Sequence, residues 1–423
     1  MESLSTLPDF LQLEHDAARI LTAQEQHGWY FDERAAWELT SSLQRELEQT
    51  YQVLRDKHPY VAGPEFTPKR NNRTQGYIEG ASFCKLKELN PTSRDHISWL
   101  LTTHYGWNPT SLTSTGKAIV DETVLKAIQL PIATLFLTSL DITKKLGMIS
   151  EGTNAWLKLI TSASRIHHHC SVATNTFRCA HRKPNLAQVP SDPEFRKLFR
   201  ASPGQRMVGA DLSGVELRCL AHYLARYDGG RYREVLLNDD IHQVNADKIG
   251  ISRKLVKTVT YAFLYGAGDQ KIGLSYDKSL SPNKAKAKGK EIRQAYIDAI
   301  DGLDKLLKDI KQASERGYVR AIDKRKVLVD SSHKALNYLL QSTAAVLAKR
   351  WMVINDQTIK ETKLCCSQLA FVHDELQFEC DPAHTEDLRT SLVYSALAAG
   401  EYYNFRCPID AEATVGDTWA DTH

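Results

Sequence analysis

Residues 253–266 read RKLVKTVTYAFLYG, and this stretch decides how the rest of the chain is read. Arg253, Lys257, Tyr261 and Tyr265 recur every four positions before Gly266. Four steps along an α-helix turn about 400°, so each of these side chains lies only about 40° round from the last and all four share one face. Two cations and two aromatic rings on one face can hold a triphosphate at Arg253 and Lys257 while the rings of Tyr261 and Tyr265 lie against a sugar and base. An amphipathic helix with half-buried tyrosines and snorkelling bases would give the same pattern. His242, in IHQVNAD one helix earlier, offers a further phosphate donor.

Two carboxylates flank this stretch at a distance in sequence. MVGA at 207–210 reads as an apolar strand that runs straight into Asp211, and a helix follows from Gly214 with Val215, Leu217, Leu220 and Leu224 inward. An ionised carboxylate beside a buried strand needs a cation or donor partner, or it serves as the cap of the next helix. QLAFVHDELQFEC at 368–380 reads as two strands meeting at His373 and Asp374. Asp374 and Glu375 are then a polar hairpin tip, or the second half of a metal site rooted in an apolar core.

The chain has 423 residues, enough for two or three packed units rather than one core. Its 42% hydrophobic and 25% charged residues are ordinary for a globular protein. A net charge of +3, from 54 basic and 51 acidic residues, does not by itself announce a nucleic-acid partner. Basic residues nevertheless crowd at Pro68–Arg73 and Lys278–Arg293, where they could neutralise phosphates or form a solvated helix face. The longest apolar stretch, Leu130–Leu140, is too short to span a bilayer, so no membrane role is expected. Eight cysteines without a CxxC pair or signal peptide imply a reduced, cytoplasmic setting. The run His167, His168, His169, Cys170 is not expected to form a zinc site, because consecutive residues on a strand point to alternate faces.

Along the chain, Leu11–Arg55 reads as helix broken at Gly28, 58–91 as an extended or looped insertion, and the following segment as helix to about Leu159. A strand at 165–174 leads into a polar, proline-bearing loop. His242–His333 is mostly helical, with turns near Ser279–Pro282 and Gly317, and a helix from Thr385 to Gly400 backs the last two strands.

DLSGVELR from Asp211, RKLVKTVTYAFLYGAG from Arg253 and VHDE from Val372 together resemble motifs A, B and C of the family A DNA polymerases, in the family's order. NLAQVPS at 185–191, IHQVNADKIG at 241–250 and ALNYLLQSTAAVLAKRW at 335–351 bring the likeness nearest to the replicative polymerases of short-tailed phages. The resemblance runs from about residue 10 to the C-terminus.

It implies an α+β right-hand fold with helical thumb and fingers and an antiparallel β-sheet palm. The lead-in and thumb would occupy 1–155, with 58–91 a short insertion; the palm 156–227 and 336–423; and the fingers 228–335. The implied activity is DNA-directed DNA polymerisation, a nucleotidyl transfer from dNTP to a primer 3′ hydroxyl in phage-type replication. It implies two Mg²⁺ ions, with Mn²⁺ able to substitute, held by Asp211, Asp374 and the Leu212 carbonyl. Glu375 and Lys257 would stand with Asp211 and Asp374 at the chemistry. The incoming nucleotide would meet Arg253, Lys257, Tyr261, Tyr265, Gly266, His242, Glu216, Ser213 and Gly214. Glu216 and Tyr265 form the family's steric gate against a 2′ hydroxyl, and the glutamate separates this chain from single-subunit RNA polymerases. Tyr261 stands where other members carry phenylalanine, which implies acceptance of dideoxynucleotides. Arg178, Asn185, Gln188, Asn337, Gln341 and His373 match positions that touch primer and template, where minor-groove acceptors common to all correct pairs can be tested. A nuclease would have no use for the Arg253–Tyr265 face. A DNA-binding protein without catalysis would be expected to lose Asp211, Asp374 or Lys257.

Two departures qualify the likeness. No strand bearing an Asp-x-Glu pair precedes Leu11, so no 3′ to 5′ exonuclease is expected in the chain; a separate exonuclease or a phage helicase-primase would be partners. The 58–91 insertion is short where a well-known phage relative has a large thioredoxin-binding loop, so thioredoxin is not expected to bind. A monomer on primer-template DNA in the host cytoplasm is the overall expectation.

Overall fold

A computed structural model of the chain describes residues 7–172 and 174–423. Contacts divide it into two compact units, one of 1–32 with 159–423 and the other of 33–158. The segment expected as one lead-in and thumb, 1–155, therefore divides after Asp32.

The larger unit opens with α1 (Asp9–His27), whose Leu13, Ala17, Ile20, Leu21 and Gln24 are buried at helical spacing. The helix stops at Gly28, whose φ of +71° suits glycine and where a Cβ would press on the His167 ring at 2.8 Å. The two-residue strand β1 (Trp29–Tyr30) follows.

The smaller unit contains α2 (Glu33–Lys57), β2 (Tyr60–Phe66), β3 (Phe83–Glu88), α3 (Arg94–Tyr105), α4 (Glu122–Ala127), α5 (Pro131–Leu146) and most of the short α6 (Trp156–Leu159). Its core is Leu54, Val61, Ile97, Leu100, Leu101, Ile132 and Phe136. The segment 58–91, expected as an extended or looped insertion, folds as an antiparallel hairpin of β2 and β3 with a long loop between them. β3 is exposed on both faces, with Leu86 on one and Lys87 on the other open to solvent, so the polar and apolar alternation that marks a half-buried strand is missing from the sequence.

The larger unit resumes with β4 (Arg165–Ile166), β5 (His169–Ser171), β6 (Ala180–Arg182), α7 (Pro193–Arg196), β7 (Arg206–Leu212) and α8 (Val215–Asp228). Six helices follow in part or whole: α9 (Arg231–Asn238), α10 (Ile241–Ile249), α11 (Arg253–Leu264), α12 (Asp269–Tyr276), α13 (Pro282–Ala299) and α14 (Leu303–Ser314). The hairpin of β8 (Tyr318–Arg320) and β9 (Lys326–Leu328) leads into α15 (Ala335–Thr362), then β10 (Cys366–Val372), β11 (Glu375–Cys380), α16 (Thr385–Tyr402) and β12 (Ala411–Gly416).

Four of these strands make one antiparallel sheet in the order β10-β11-β7-β12. β7 is central, which explains its nearly unbroken apolar run Met207–Ala210. α15, buried along almost its whole length, packs with α1, α8 and α16 around this sheet. Within that core Lys349 is wholly buried, and its ammonium meets Glu14 at 2.6 Å, which in turn takes Arg325 at 2.6 Å. Buried charges persist only when paired in this way.

The basic run 278–293 proves to be the start of α13. Its lysines face solvent while Gly289 and Ala285 face α12, where a Cβ at Gly289 would collide with the Asp269 carbonyl.

Candidate active site

Strand register brings the two distant carboxylates together. β11 pairs with β7 so that Glu375 stands opposite Asp211, and the Leu212 amide donates to the Asp374 carbonyl at 3.0 Å. His373, at φ +60°, makes the sharp turn between β10 and β11 that presents Asp374 at the end of the sheet. Asp211 and Asp374 thus share one end of adjacent strands.

The local electrostatics are unfavourable to both anions. Desolvation, then repulsion from Asp374, Glu375 and Glu216, pushes Asp211 up to about 7, with His423 opposing. Desolvation and Glu216 push Asp374 up to about 6, against the pull of Arg178. Carboxylates gathered where their charge is disfavoured form a place that a divalent cation would relieve, and hard oxygen donors suit Mg²⁺. That donor set fits the group.

Glu375 is engaged by the protein itself. Its Oε1 accepts from Trp419 Nε1 at 2.5 Å and Gln377 Nε2 at 2.7 Å, and its Oε2 lies 3.0 Å from His423 Nδ1. With both oxygens held and only 5% exposure, it is fixed opposite Asp211 in the strand register. Trp419, Gln377 and His423 were not singled out from sequence; Gln377 follows Glu375 by two positions and so shares its side of the strand, the one signal available.

The α11 face forms as its spacing predicts. Ser252 caps the helix, accepting from the Leu255 amide, and Val256, Val259, Thr260, Phe263 and Leu264 take the buried side. On the other side Tyr261 and Tyr265 stack, ring centres 6.5 Å apart at 19°, and His242 lies 6.0 Å from Tyr261. Lys257 is exposed, while Arg253 donates from Nε to Asp240 at 2.6 Å. His242 is buried, its Nδ1 has no partner among the described residues, and burial lowers its pKa. Gly266, at φ +70°, ends the face, and Asn337 of α15 donates to the Leu264 carbonyl at 2.8 Å.

One carboxylate links the two halves. Glu216, near the start of α8, accepts from Tyr265 Oη at 2.9 Å and from Arg178 Nη2 at 2.8 Å on the same oxygen. Burial and the Glu216 charge push the Tyr265 phenol up to about 12, so it stays a donor. Ahead of α8, Ser213 donates its amide to the Asp410 carbonyl at 2.9 Å, and Gly214 turns at φ +56° to open the helix. Asn185 and Gln188 are exposed on a short 3₁₀ turn, Gln341 is half-buried on α15, and His373 is partly buried with Nδ1 unpartnered.

Comparison with known proteins accords with this arrangement. The family model described as DNA polymerase family A matches residues 68–421. The DNA-directed DNA polymerases of Escherichia phage T7 and Enterobacteria phage T3 are each 32% identical over 98% of this chain and 70% of their own length. DNA polymerase I of Mycobacterium leprae is 26% identical over 79% of this chain and 39% of its own length. In fold, the chain is similar to the solved POL domain of Pol1 from M. smegmatis, in a complex with DNA primer-template and dNTP, at a TM-score of 0.79. That match has 22% identity and covers 96% of this chain and 70% of the other.

The chain belongs to DNA polymerase family A and has its α+β right-hand polymerase fold. It is a DNA-directed DNA polymerase, a nucleotidyltransferase.

Proposed function

We propose that the chain extends a primer 3′ hydroxyl by two-metal nucleotidyl transfer from dNTPs in phage-type DNA replication. The observation that carries this is the meeting of Asp211 and Asp374 at one end of the sheet, joined to the cationic, tyrosine-bearing α11 through Glu216 and Tyr265.

Asp211, Asp374 and the Leu212 carbonyl would hold two Mg²⁺ ions, and Mn²⁺ could replace them. When bound, those ions supply a lowered pKa at the primer hydroxyl and charge neutralisation at the leaving pyrophosphate. Glu375, held by Trp419, Gln377 and His423, would add its negative charge beside Asp211 and so strengthen the pull on the ions. Lys257 and Arg253 would bind the triphosphate, with His242 donating to it and Ser213 and Gly214 lining the near wall. Arg253 must leave Asp240 to do so, an exchange of one exposed carboxylate for a polyanion. Tyr261 and Tyr265 would stack on the nucleotide, with Gly266 at the end of the same face.

Glu216 occupies the space that a 2′ hydroxyl would need, fixed there by two donors. Arg178, Asn185, Gln188, Gln341, Asn337 and His373 would contact primer and template, with residues 156–227 and 336–423 as palm, 228–335 as fingers and the lead-in with 58–91 in the thumb. The same reading assigns these 423 residues no 3′ to 5′ exonuclease and no need of thioredoxin, and puts the enzyme as a monomer in the host cytoplasm, served by a separate exonuclease or helicase-primase. No helix among the described residues is long and apolar enough to cross a membrane.

Extension of a labelled primer with Mg²⁺ and dNTPs, in parallel with ribonucleotides, with no nucleotide, and with added thioredoxin, tests each part. Full extension with dNTPs alone is expected. Shortening of the primer without nucleotides would remove the exonuclease claim, and longer single-encounter products with thioredoxin would remove the other.

A further inference from the structure

Behind the active-site turn, β5 and β6 gather a second set of donors. His168 and Cys170 are two positions apart in extended chain and so share a side, and the strand register pairs Cys170 with His181. The expectation that the 167–170 run could not converge on one ion is thus corrected: alternation excludes His167 and His169 but unites the other two, and the third group arrives from the neighbouring strand. Their donor atoms all lie within 4.8 Å of one another, with Cys170 Sγ 3.3 Å from His181 Nδ1. The Gln24 amide of α1 closes the fourth side, 3.0 Å from His168 Nε2 and 3.6 Å from Cys170 Sγ.

All four side chains are removed from water: His168 is 0% exposed, Gln24 1%, His181 8% and Cys170 9%. The facing atoms, His168 Nε2, Cys170 Sγ, His181 Nδ1 and the Gln24 amide, make one contiguous polar cluster in the core, while the other ring nitrogens, His168 Nδ1 and His181 Nε2, have no partner among the described residues. A thiol, two imidazoles and an amide in the core are donors of the kind that Zn²⁺ selects over Mg²⁺.

We propose that His168, Cys170 and His181, with the Gln24 side-chain oxygen as fourth ligand, bind one Zn²⁺ as a structural site. A half-turn of the Gln24 amide brings its oxygen to the ion and its nitrogen to Gln368, which now donates to it at 2.8 Å and turns its own amide in response. An ion would take the places of the contacts that Gln24 now makes to His168 Nε2 and Cys170 to His181 Nδ1. Cys170 would bind the ion as thiolate, its proton passing to solvent.

The ion ties α1 to the β5–β6 hairpin. The loop of that hairpin carries Arg178, which holds Glu216, and the His181 ring packs edge-on against His373 at 6.3 Å. The site therefore braces the turn that presents Asp374, through the His181 ring against His373.

Elemental analysis of the full chain purified without chelator is expected to find about one zinc per molecule, and Cys170→Ser or His181→Gln to lower this by more than about tenfold. Because either variant could fold poorly, the wild-type chain supplies a second reading. After stripping and with Mg²⁺ saturating, Co²⁺ should give a thiolate-to-cobalt charge-transfer band, and Zn²⁺ should abolish that band and raise Tm. Zinc no higher in wild type than in Cys170→Ser, or Co²⁺ addition to the wild-type chain without a charge-transfer band, would overturn the proposal.

Discussion

Tyr265 and Glu216, 49 residues apart in the chain, are joined by a 2.9 Å hydrogen bond that holds the end of α11 against the start of α8. Arg178 grips the same glutamate oxygen at 2.8 Å, so the carboxylate is fixed from two directions and 9% exposed. In the proposed steric gate a group so held would exclude a 2′ hydroxyl by occupying space rather than by moving.

Glu216→Ala should therefore raise ribonucleotide incorporation relative to deoxyribonucleotide by at least about tenfold, a relaxation of roughly 1.4 kcal/mol in discrimination. The ratio of kcat/KM for a matched rNTP and dNTP measures it. An unchanged ratio would place the gate elsewhere.

Tyr261 stacks on Tyr265 and faces His242. Its hydroxyl is the only atom lost in Tyr261→Phe, so that variant should keep dNTP extension and discriminate more strongly against dideoxynucleotides. Longer products at a fixed ratio of terminator to substrate are the expected sign. Equal product lengths would show that the hydroxyl does not reach the sugar.

Glu379 gives the fold a pH dependence whose sign is fixed. Burial alone would raise its pKa, but hydrogen bonds from His27, Ser202 and Arg165 outweigh burial and hold it at about 2 against an ordinary 4.5. A depressed carboxylate stabilises fully above its unfolded value, and that contribution is lost as pH falls from 4.5 toward 2. Glu379→Gln should cost on the order of 3 kcal/mol at neutral pH and little near pH 2, read from denaturant unfolding at both. A pH-independent loss would contradict the assignment.

Gly289 lets α13 lie directly on α12, where the Asp269 carbonyl occupies the position of a side chain. Gly289→Ala, neutral or better by helix propensity, should instead destabilise by about 2 kcal/mol because backbone cannot yield as a side chain does. A raised Tm would show that the two helices are free to separate.

Much of the site was legible because its residues lie at fixed spacing on regular elements. Arg253, Lys257, Tyr261 and Tyr265 needed only the helical period, and Asp374 announced itself as the polar tip between two apolar strands. What escaped was whatever depends on pairing between distant segments. β12 is six residues long, Ala411–Gly416, and was not singled out in the sequence; its place is set by pairing with β7, about 200 residues earlier. The Glu375 network draws on Trp419 and His423, more than 40 residues away, and no local pattern marks them. The β8–β9 hairpin has three-residue strands, too short to show a period. The donor set at His168, Cys170 and His181 failed for the same reason, since its third member belongs to another strand.

The central claim is that Asp211 and Asp374 together support the chemistry. Asp374→Asn and Asp211→Asn, each in single-turnover extension of a preformed primer-template complex with saturating dNTP and Mg²⁺, test it most directly. The account predicts a loss in the chemical step of at least about a thousandfold for each, with primer-template affinity changed by less than a few-fold. Extension within about tenfold of wild type by either variant, with the complex formed equally well, would contradict it.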